Sequence, residues 1–345
     1  MSEIASTLHT EMERLPKVDL HRHLEGSLRV ETLIDLVRRE RLNLPSDKKA
    51  LQAMVQMQPG EPRTSANFLA KFQHLRSFFR SPEIIHRFTW ETIADAAADN
   101  VRYLELHFTP VALSETGEFP LSEVVDWVIE SASTAAVEHA LELGLILSVN
   151  RHEGVKYAEQ VAHIALDRSD RGVVGLSLAG DEAGHSAEPF EPIFSAVRKA
   201  GLGISIHAGE WAGPENIRFA IEAMGAPRIG HGVRVMEDPA LVRLARDQRV
   251  AFEICLTSNI QSGAVSNIRD HPLPEMLQAG LQVTLNTDDP GVSNTRLSDE
   301  YTLAITALDL SYESIKGLIL AALQASFLPP QKKASLESEF LAAIL

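Results

Sequence analysis

Short apolar runs recur along the chain, and a polar loop and an amphipathic stretch follow most of them. Eight runs have the length and composition of buried strands: 17–20, 103–108, 145–149, 173–178, 202–206, 228–230, 250–254 and 281–285. Helical spacing follows at 121–142, 155–167, 190–199, 214–224, 238–247 and 272–279. Strands that alternate with helices pair in parallel through right-handed crossovers. The pattern therefore predicts an α/β fold, a closed (β/α)8 TIM barrel.

The connection between the first two runs is much longer than the others. Residues 29–100 contain several helical patterns, and we expect this helical insertion to lie over the carboxyl-terminal mouth of the barrel. After the eighth run, 296–309, 311–326 and 330–343 predict additional closing helices. Because no linker, repeat or low-complexity tract interrupts the chain, we expect residues 1–345 to form a single domain.

An open, doubly wound sheet is the main alternative architecture. The glycine-rich fingerprint G-x-G-x-x-G of dinucleotide-binding sheets is missing from the strand-to-helix turns. The only cysteine, Cys255, cannot form an internal disulfide or a Cys-rich zinc module, and we expect it to be a buried apolar residue. These observations favour the barrel and leave histidines and carboxylates as the candidate metal ligands.

The chain is acidic, with 32 Lys and Arg residues against 47 Asp and Glu residues and a formal charge of −15. This balance repels phosphate backbones and anionic lipids, so we expect neither nucleic acid nor membrane as a partner. No apolar stretch is long enough to span a bilayer. The N-terminal segment carries acids where a signal peptide needs basic and then apolar residues, which indicates a cytoplasmic protein. The oligomeric state stays open.

Histidine or acidic residues follow four of the predicted strands. His21 and His23 lie two positions apart and share one face of the first strand, whereas His207 follows the fifth and Asp288 the eighth. The carboxyl ends of barrel strands meet at one mouth, so these side chains would supply three nitrogens and one oxygen to a zinc-like divalent ion. A lone H-x-H pair is a weak signal, and the joint placement carries the prediction.

Other polar residues lie close to these candidate ligands. Glu210 and Asp289 stand in the same motifs and His231 follows the sixth strand, so they remain as acid, base and hydrogen-bonding groups. A metal in such a site would lower the pKa of its bound water toward about 7. His107 closes the second run and His152 follows the third, and both are equally compatible with the mouth of the barrel and with a structural role.

Six motifs, in this order and spacing, resemble the adenosine and AMP deaminase family of metal-dependent hydrolases. They are PKVDLHRHLEGSLR (16–29), SLAGDE (177–182), HAGE (207–210), RIGHGVR (228–234), CLTSNIQSGAV (255–265) and LNTDDPGV (285–292). The resemblance extends from about residue 14 to 335. It implies a barrel that holds one zinc ion and hydrolyses adenosine or 2′-deoxyadenosine to inosine or deoxyinosine and ammonia.

The resemblance also implies roles for the reacting residues. The zinc ligands would be His21, His23, His207 and Asp288. Glu210 would donate a proton to purine N1, and hydroxide on the zinc would attack C6. His231 would orient that hydroxide and Asp288 would also accept its proton. Neutral purine is a poor electrophile, so proton donation and a strong nucleophile are both required.

A second group of matching residues would contact the substrate. Asp289 would accept a hydrogen bond at N7, and the backbone N–H of Gly180 would meet N3. Phe68, Leu69 and Phe72 would form an apolar wall on the ribose side.

One residue departs from the pattern of animal-type adenosine deaminases. Glu25, beside His23, stands where those enzymes have aspartate, and this acid faces the sugar end of the substrate. The added methylene leaves adenine or a 5′-modified adenosine as alternative substrates. A related barrel hydrolase acting on another C–N or ester bond would have little use for Glu210, and a non-catalytic binding protein would have lost some of these polar residues.

Overall fold

In a computed structural model, which describes residues 3–344, eight strands form one parallel sheet in sequential order. They are β1 (Lys17–His23), β2 (Val101–Phe108), β3 (Glu142–Asn150), β4 (Val173–Ala179), β5 (Gly203–Ala208), β6 (Arg228–His231), β7 (Ala251–Ile254) and β8 (Gln282–Leu285). Each predicted run corresponds to one of these strands. Residues 1, 2 and 345 of the predicted domain lie outside the described residues.

Hydrogen bonds between its first and last strands close the barrel. The backbone N–H of His23 donates to the carbonyl of Asp288 at 2.8 Å, and the N–H of Asp288 donates to the carbonyl of His21 at 2.8 Å. The N–H of Leu20 donates to Oδ1 of Asn286 at 2.9 Å. The predicted (β/α)8 barrel is therefore confirmed.

Helices surround the strands and fill the long connections. They are α1 (Glu3–Arg14), α2 (Val30–Arg39), α3 (Lys48–Val55), α4 (Ser65–Arg76), α5 (Pro82–Ala98), α6 (Pro110–Ser114), α7 (Leu121–Glu138), α8 (Val155–Asp167), α9 (Glu191–Lys199), α10 (Pro214–Glu222), α11 (Pro239–Asp247), α12 (Leu256–Gln261), α13 (Leu273–Gln278), α14 (Pro290–Ser293), α15 (Leu297–Leu308), α16 (Tyr312–Ala325) and α17 (Pro330–Ile344). Within the described range, none of these helices combines the length and apolar composition that crossing a membrane requires.

The insertion after β1 is helical, as predicted, and polar side chains define where its helices begin. Asp47, Thr64 and Ser81 accept hydrogen bonds from backbone N–H groups in the first turns of α3, α4 and α5. Such caps satisfy N–H groups that have no partner inside a helix. They fix the residue at which each helix begins, and α4 lies beside the carboxyl end of the barrel, where it lines the cavity.

The sequence pattern missed five helices. Four of them, α3, α6, α12 and α14, have four to eight residues, which is too few to show a helical period clearly. The fifth is α1, whose described part carries mainly polar residues around the buried Met12. Tertiary contacts rather than local pattern therefore decide these segments.

Candidate active site

The four predicted metal ligands meet at the carboxyl end of the barrel. His21 and His23 lie in β1, His207 lies in β5 and Asp288 follows β8. All four side chains are buried. Parallel pairing of the eight strands brings together residues that are far apart in the sequence, because every strand delivers its last residues to the same edge.

The spacing of the ligand atoms suits a divalent cation. Nε2 of His21 lies 3.2 Å from Nε2 of His23, and Oδ1 of Asp288 lies 3.4 Å and 3.5 Å from these nitrogens. A tetrahedral site with bonds of about 2.1 Å separates its ligand atoms by about 3.4 Å. The ring of His207 is centred 4.5 Å from that of His21, and its Nδ1 has no hydrogen-bond partner among the described residues. The donors present therefore fit such an ion.

His231 belongs to the same buried cluster. Ligand atoms of His21, His207, His231 and Asp288 lie within 4.8 Å of one another, in a search of the described residues. Nε2 of His231 is also 3.5 Å from Oε2 of Glu210. His231 therefore lies between candidate metal ligands and Glu210. The predicted ligand His23 is not in this group of four, although its Nε2 lies 3.2 Å from Nε2 of His21 and 3.5 Å from Oδ1 of Asp288.

Outer hydrogen bonds orient the cluster, and sequence reasoning missed the residues that make them. Glu253 Oε2 lies 2.7 Å from Nδ1 of His21, and the Ser258 hydroxyl donates to Oδ2 of Asp288 at 2.6 Å. The side-chain amide of Asn259 lies 3.0 Å from Nδ1 of His231. Such partners fix the tautomer and direction of a metal ligand. Ser258 and Asn259 stand inside the matched motif at 255–265, which was the available signal.

The electrostatics of the cluster also favour a cation. Burial lowers the pKa of His21, but Asp288 and Glu253 outweigh burial through hydrogen bonds and charge and raise this pKa to about 10. Burial and the charge of His21 lower the pKa of His23 to about 3. One strongly basic ring between two carboxylates marks negative potential, where a cation can replace a proton.

The backbone at two cluster residues is held in a rarely populated conformation. His231 has φ 61° and Asp288 has φ 60°, which non-glycine residues seldom adopt. At Gly230, a Cβ would lie 2.9 Å from Cε1 of His21, so glycine lets the histidine rings approach the strand. Strain of this kind persists only where the surroundings enforce it, and it concentrates at functional sites.

Glu210 is placed to act as an acid. Its side chain is buried, the Ser262 hydroxyl donates to Oε1 at 3.2 Å, and Oε2 faces His231. Burial first, and then the charges of Asp288 and Glu182, raise the pKa of Glu210 well above its usual value. A raised pKa favours the protonated carboxyl group, which is the form that donates a proton.

A second carboxylate holds the loop that carries Glu210. Glu182 accepts hydrogen bonds from the backbone N–H groups of residues 209–212 and from the side chain of Asn216, at 2.6–3.2 Å. These five donors make the turn after β5 rigid. Sequence reasoning assigned Glu182 no role, although it closes the matched motif at 177–182.

Asp289 and Glu25 each present an unpartnered oxygen to the site. Asp289 Oδ1 and Glu25 Oε2 have no hydrogen-bond partner in the part of the chain described, whereas Glu25 Oε1 accepts from the N–H of Thr109 at 2.8 Å. Burial and the charges of Asp288 and Glu25 raise the pKa of Asp289 well above its usual value. At Gly26, a Cβ would lie 1.8 Å from Asp289 Oδ1, so only glycine permits this contact.

A cavity of about 320 Å³ opens over the cluster. All predicted site residues line it except His21, which lies fully buried beneath. Phe68, Leu69 and Phe72 reach it from α4, and Gly180 follows β4. The cavity thus has a polar end near the candidate metal ligands and an apolar wall supplied by the insertion.

Several other lining residues had no assigned role in the sequence. They are Ala66, Ala70, Gln73, Arg76, Thr109, Asn150, Ala179 and Trp211. The sequence left the roles of His107 and His152 undecided. His152 lines the cavity, whereas His107 is buried and stacks on His21 with ring centres 5.0 Å apart. Thr109 directly follows β2 and Asn150 ends β3, so strand-end position was a usable signal for both. Cys255 is buried, as expected.

Comparisons with known proteins identify the family of the chain. A family model described as adenosine deaminase matches residues 16–343. The adenosine deaminase of Klebsiella pneumoniae subsp. pneumoniae is 38% identical over 324 residues, covering 93% of this chain and 96% of that protein.

Solved structures share the fold over nearly the whole chain. The adenine deaminase from Arthrobacter aurescens has a TM-score of 0.87 at 27% identity, covering 95% of this chain and 98% of that one. The N6-methyl-AMP deaminase from Arabidopsis thaliana has a TM-score of 0.85 at 28% identity, covering 97% and 98%. The chain therefore belongs to the adenosine deaminase family, which confirms the prediction of a deaminase enzyme.

Proposed function

We propose that the protein hydrolyses adenosine and 2′-deoxyadenosine to inosine and deoxyinosine with release of ammonia, using one zinc ion. One observation carries the proposal: a buried cluster of imidazoles and a carboxylate lies next to a second, proton-retaining carboxyl group, Glu210. Hydrolysis at C6 of a purine requires both a nucleophile generated at neutral pH and a proton donor at the ring.

His21, His23, His207 and Asp288 would hold the zinc ion, in keeping with the tetrahedral spacing of the ligand atoms. When bound, zinc lowers the pKa of a coordinated water molecule toward about 7 and so supplies a nucleophile. Among divalent metals, a site of three histidines and one carboxylate suits zinc well.

Glu210 and His231 act on the two sides of the reacting bond. Glu210 donates its proton to purine N1, which makes C6 electrophilic, and its raised pKa keeps this proton available. His231, held through Nδ1 by Asn259, directs Nε2 toward Asp288 and orients the attacking water. Burial lowers the pKa of His231 to about 4, so the ring is neutral. Because Nδ1 accepts a hydrogen bond from the Asn259 amide, Nε2 carries the hydrogen and donates.

Asp289 binds purine N7 as a hydrogen-bond donor. The resemblance implied that Asp289 accepts a hydrogen bond there, but N7 of a neutral purine has a lone pair and no hydrogen, so it can only accept. The raised pKa of Asp289 favours the protonated acid, which donates to N7. The unpartnered Oδ1 of Asp289 supports a partner supplied by the substrate.

The sugar end of the substrate lies under α4. Phe68, Leu69 and Phe72 cover the ribose side, and the N–H of Gly180 reaches N3. Glu25 offers its free Oε2 to the sugar hydroxyl. Because this acid carries one methylene more than aspartate, adenine and 5′-modified adenosines remain alternative substrates.

The loss of adenosine absorbance on conversion to inosine tests the proposal. Zinc-loaded protein should deaminate adenosine and 2′-deoxyadenosine faster than adenine and 5′-substituted adenosines. A preference for adenine would replace the proposed substrate with the alternative. No reaction with any of these purines, combined with hydrolysis of amides, lactones or cyclic ureas, would assign the site to another class of barrel hydrolase.

A further inference from the structure

Beneath the metal cluster, a buried ionic network occupies the inside of the barrel. We call it the floor network, and it consists of Tyr103, Glu105, Ser205, Arg228 and Glu253. Each of these residues is at most 1% exposed. Charged side chains are rarely buried so completely without a functional or structural reason, because each loses its hydration.

Arg228 lies at the centre of the floor network. Its guanidinium donates to the carboxylates of both Glu105 and Glu253 and to the carbonyl of Leu20. The other oxygens of the two acids are also occupied. Tyr103 Oη donates to Glu105 Oε1 at 2.7 Å, and Ser205 Oγ donates to Glu253 Oε2 at 2.8 Å. The two acids are therefore bonded on both oxygens and have little freedom to rotate.

Phe327, which follows α16, contacts both Glu105 and Arg228 of the floor network. Its backbone N–H donates to Glu105 Oε1 at 2.6 Å, and its ring centre lies 3.9 Å from Cζ of Arg228. A Cβ at Gly203 would lie 2.4 Å from this ring, so glycine makes room for it in the barrel wall. The C-terminal segment thus anchors the charges inside the barrel.

One hydrogen bond joins the floor network to the candidate metal ligands. Oε2 of Glu253 lies 2.7 Å from Nδ1 of His21. A carboxylate can only accept, so Nδ1 carries the hydrogen, and Nε2 is the atom that faces His23 and Asp288. This bond sets both the tautomer and the direction of the ring.

We propose that Glu253 is a positioning residue for metal binding, which fixes the ring of His21, and that Arg228, Glu105 and Phe327 fix Glu253 in turn. The inference rests on the proposed metal site and extends it from the ligands to the opposite end of the barrel. An amide at position 253 would fit the space, but it would be a weaker and less directional acceptor for Nδ1–H.

Glu253→Gln tests this inference on metal-free protein, with Zn²⁺ as the probe and chelator competition as the measurement. The dissociation constant for Zn²⁺ should rise about 10- to 100-fold. The visible spectrum of the Co²⁺-loaded variant should also change, because the His21 ligand field changes. Glu300→Gln is the matched control, since Glu300 is equally buried and its partners are Thr257 N–H and Thr295 Oγ1 rather than a histidine of the cluster.

The outcomes separate the inference from its foundation. Unchanged Zn²⁺ affinity in folded Glu253→Gln would overturn the positioning role. An equal loss in Glu300→Gln would overturn it too, because the effect would then follow from any buried Glu→Gln change. If the unmodified protein binds no Zn²⁺, the proposed metal site itself is wrong. If Glu253→Gln does not fold, Ser205→Ala perturbs the same oxygen of Glu253 and should weaken Zn²⁺ binding several-fold; unchanged affinity would overturn the inference.

A second pair of variants tests the anchor. Phe327→Ala removes the ring over Arg228 and should raise the Zn²⁺ dissociation constant several-fold, although no atom of Phe327 belongs to the cluster. Phe340→Ala in α17 removes a ring of the same size that is fully buried outside the network, and it should reduce stability without changing Zn²⁺ affinity. If Phe327→Ala and Phe340→Ala change Zn²⁺ affinity equally, or if Phe327→Ala changes nothing, Phe327 does not help to position Glu253.

Discussion

The active-site end of the barrel and the floor network beneath it are both buried and both charged, but they differ in how their polar atoms are satisfied. At the site, Glu25 Oε2, His207 Nδ1 and Asp289 Oδ1 have no partner among residues 3–344. In the floor network, Glu105 and Glu253 are bonded on both oxygens. An unpaired buried group costs about 1–3 kcal/mol, so only the site end awaits a ligand.

This difference shows that buried polarity serves two purposes in one barrel. In the floor network both carboxylates share Arg228 as a counter-charge and every carboxylate oxygen has a hydrogen-bond partner, so the network provides a rigid base. The site end retains excess carboxylates and strained backbone at His231 and Asp288, which a cation and a substrate can compensate. We therefore expect a change that removes an unpaired carboxylate at the site end to raise stability while activity falls, and a change in the floor network to lower stability.

Metal removal has the largest expected effect, because it takes away the ligand that the site end awaits. Dialysis against a chelator should abolish deamination, and added Zn²⁺ should restore it. Thermal unfolding should also shift to lower temperature, since a ligand of the native state stabilises by mass action. Elemental analysis verifies the loss of metal, and full activity in metal-free protein would contradict the proposed site.

Glu210→Gln should have the second-largest effect. The amide cannot donate a proton to N1, so kcat should fall by about 1,000-fold or more. Zinc content should stay unchanged, because Glu210 is not among the proposed ligands. Ser262→Ala, which leaves the carboxyl group in place, serves as the control and should cost far less. Near-normal rates in Glu210→Gln would show that the proton comes from another group.

Arg228→Met probes the floor network rather than the site. Loss of the guanidinium leaves Glu105 and Glu253 buried without their counter-charge, so the free energy of unfolding should fall by about 3–5 kcal/mol. Arg218→Met is the control, because Arg218 pairs with Glu222 and Asp238 near the surface and its loss should cost far less stability. Denaturant unfolding measures both free energies. Equal losses of stability in Arg228→Met and Arg218→Met would show that the floor network contributes no more than a surface ion pair.

The pH profile should report the protonated state of Glu210. An acid donor is present below its pKa and absent above it, so kcat/KM should decrease about tenfold per pH unit above the raised pKa of Glu210. The profile needs metal content measured at each pH, to separate this limb from metal loss. An increase in rate across the same range would assign Glu210 the role of a base.

Asp289→Asn should have the smallest effect on the free energy of unfolding, and it should stabilise the protein. Burial and neighbouring carboxylates raise the pKa of Asp289, so the ionised form opposes folding at neutral pH. The amide removes this penalty, and metal-free protein should gain about 1 kcal/mol at pH 7 while activity falls. The gain should vanish below about pH 4, where aspartate is protonated even when unfolded. The exposed Asp247→Asn is the control, and destabilisation by Asp289→Asn would break the comparison.

Much of the fold was predictable because strands and helices carry different periods. Each of the eight apolar runs became a strand, although β1 and β3 extend beyond the predicted 17–20 and 145–149. The extensions carry polar residues such as His21 and Asn150, which end an apolar run without ending the strand. The single-domain organisation stays a prediction.

The site was predictable to the extent that its residues stand at strand ends. His207 is the last but one residue of β5, His231 ends β6 and Asp288 comes three residues after β8, so position alone placed them at one mouth. Glu105 and Glu253 were missed because each stands within a run that is otherwise apolar, YLELHF and VAFEI. Which face of a strand points into the barrel, and what it meets there, depends on shear and closure rather than on local pattern.

By itself, the sequence determined the family, the order of strands and the set of polar groups delivered to the mouth, because period and chain order are local properties. Only the tertiary structure decided which nitrogen of His21 faces the ligand atoms, which carboxyl groups hold a proton and which charges are neutralised inside the barrel. These properties follow from distances between residues that are far apart in the chain, and burial strengthens each such interaction by excluding water.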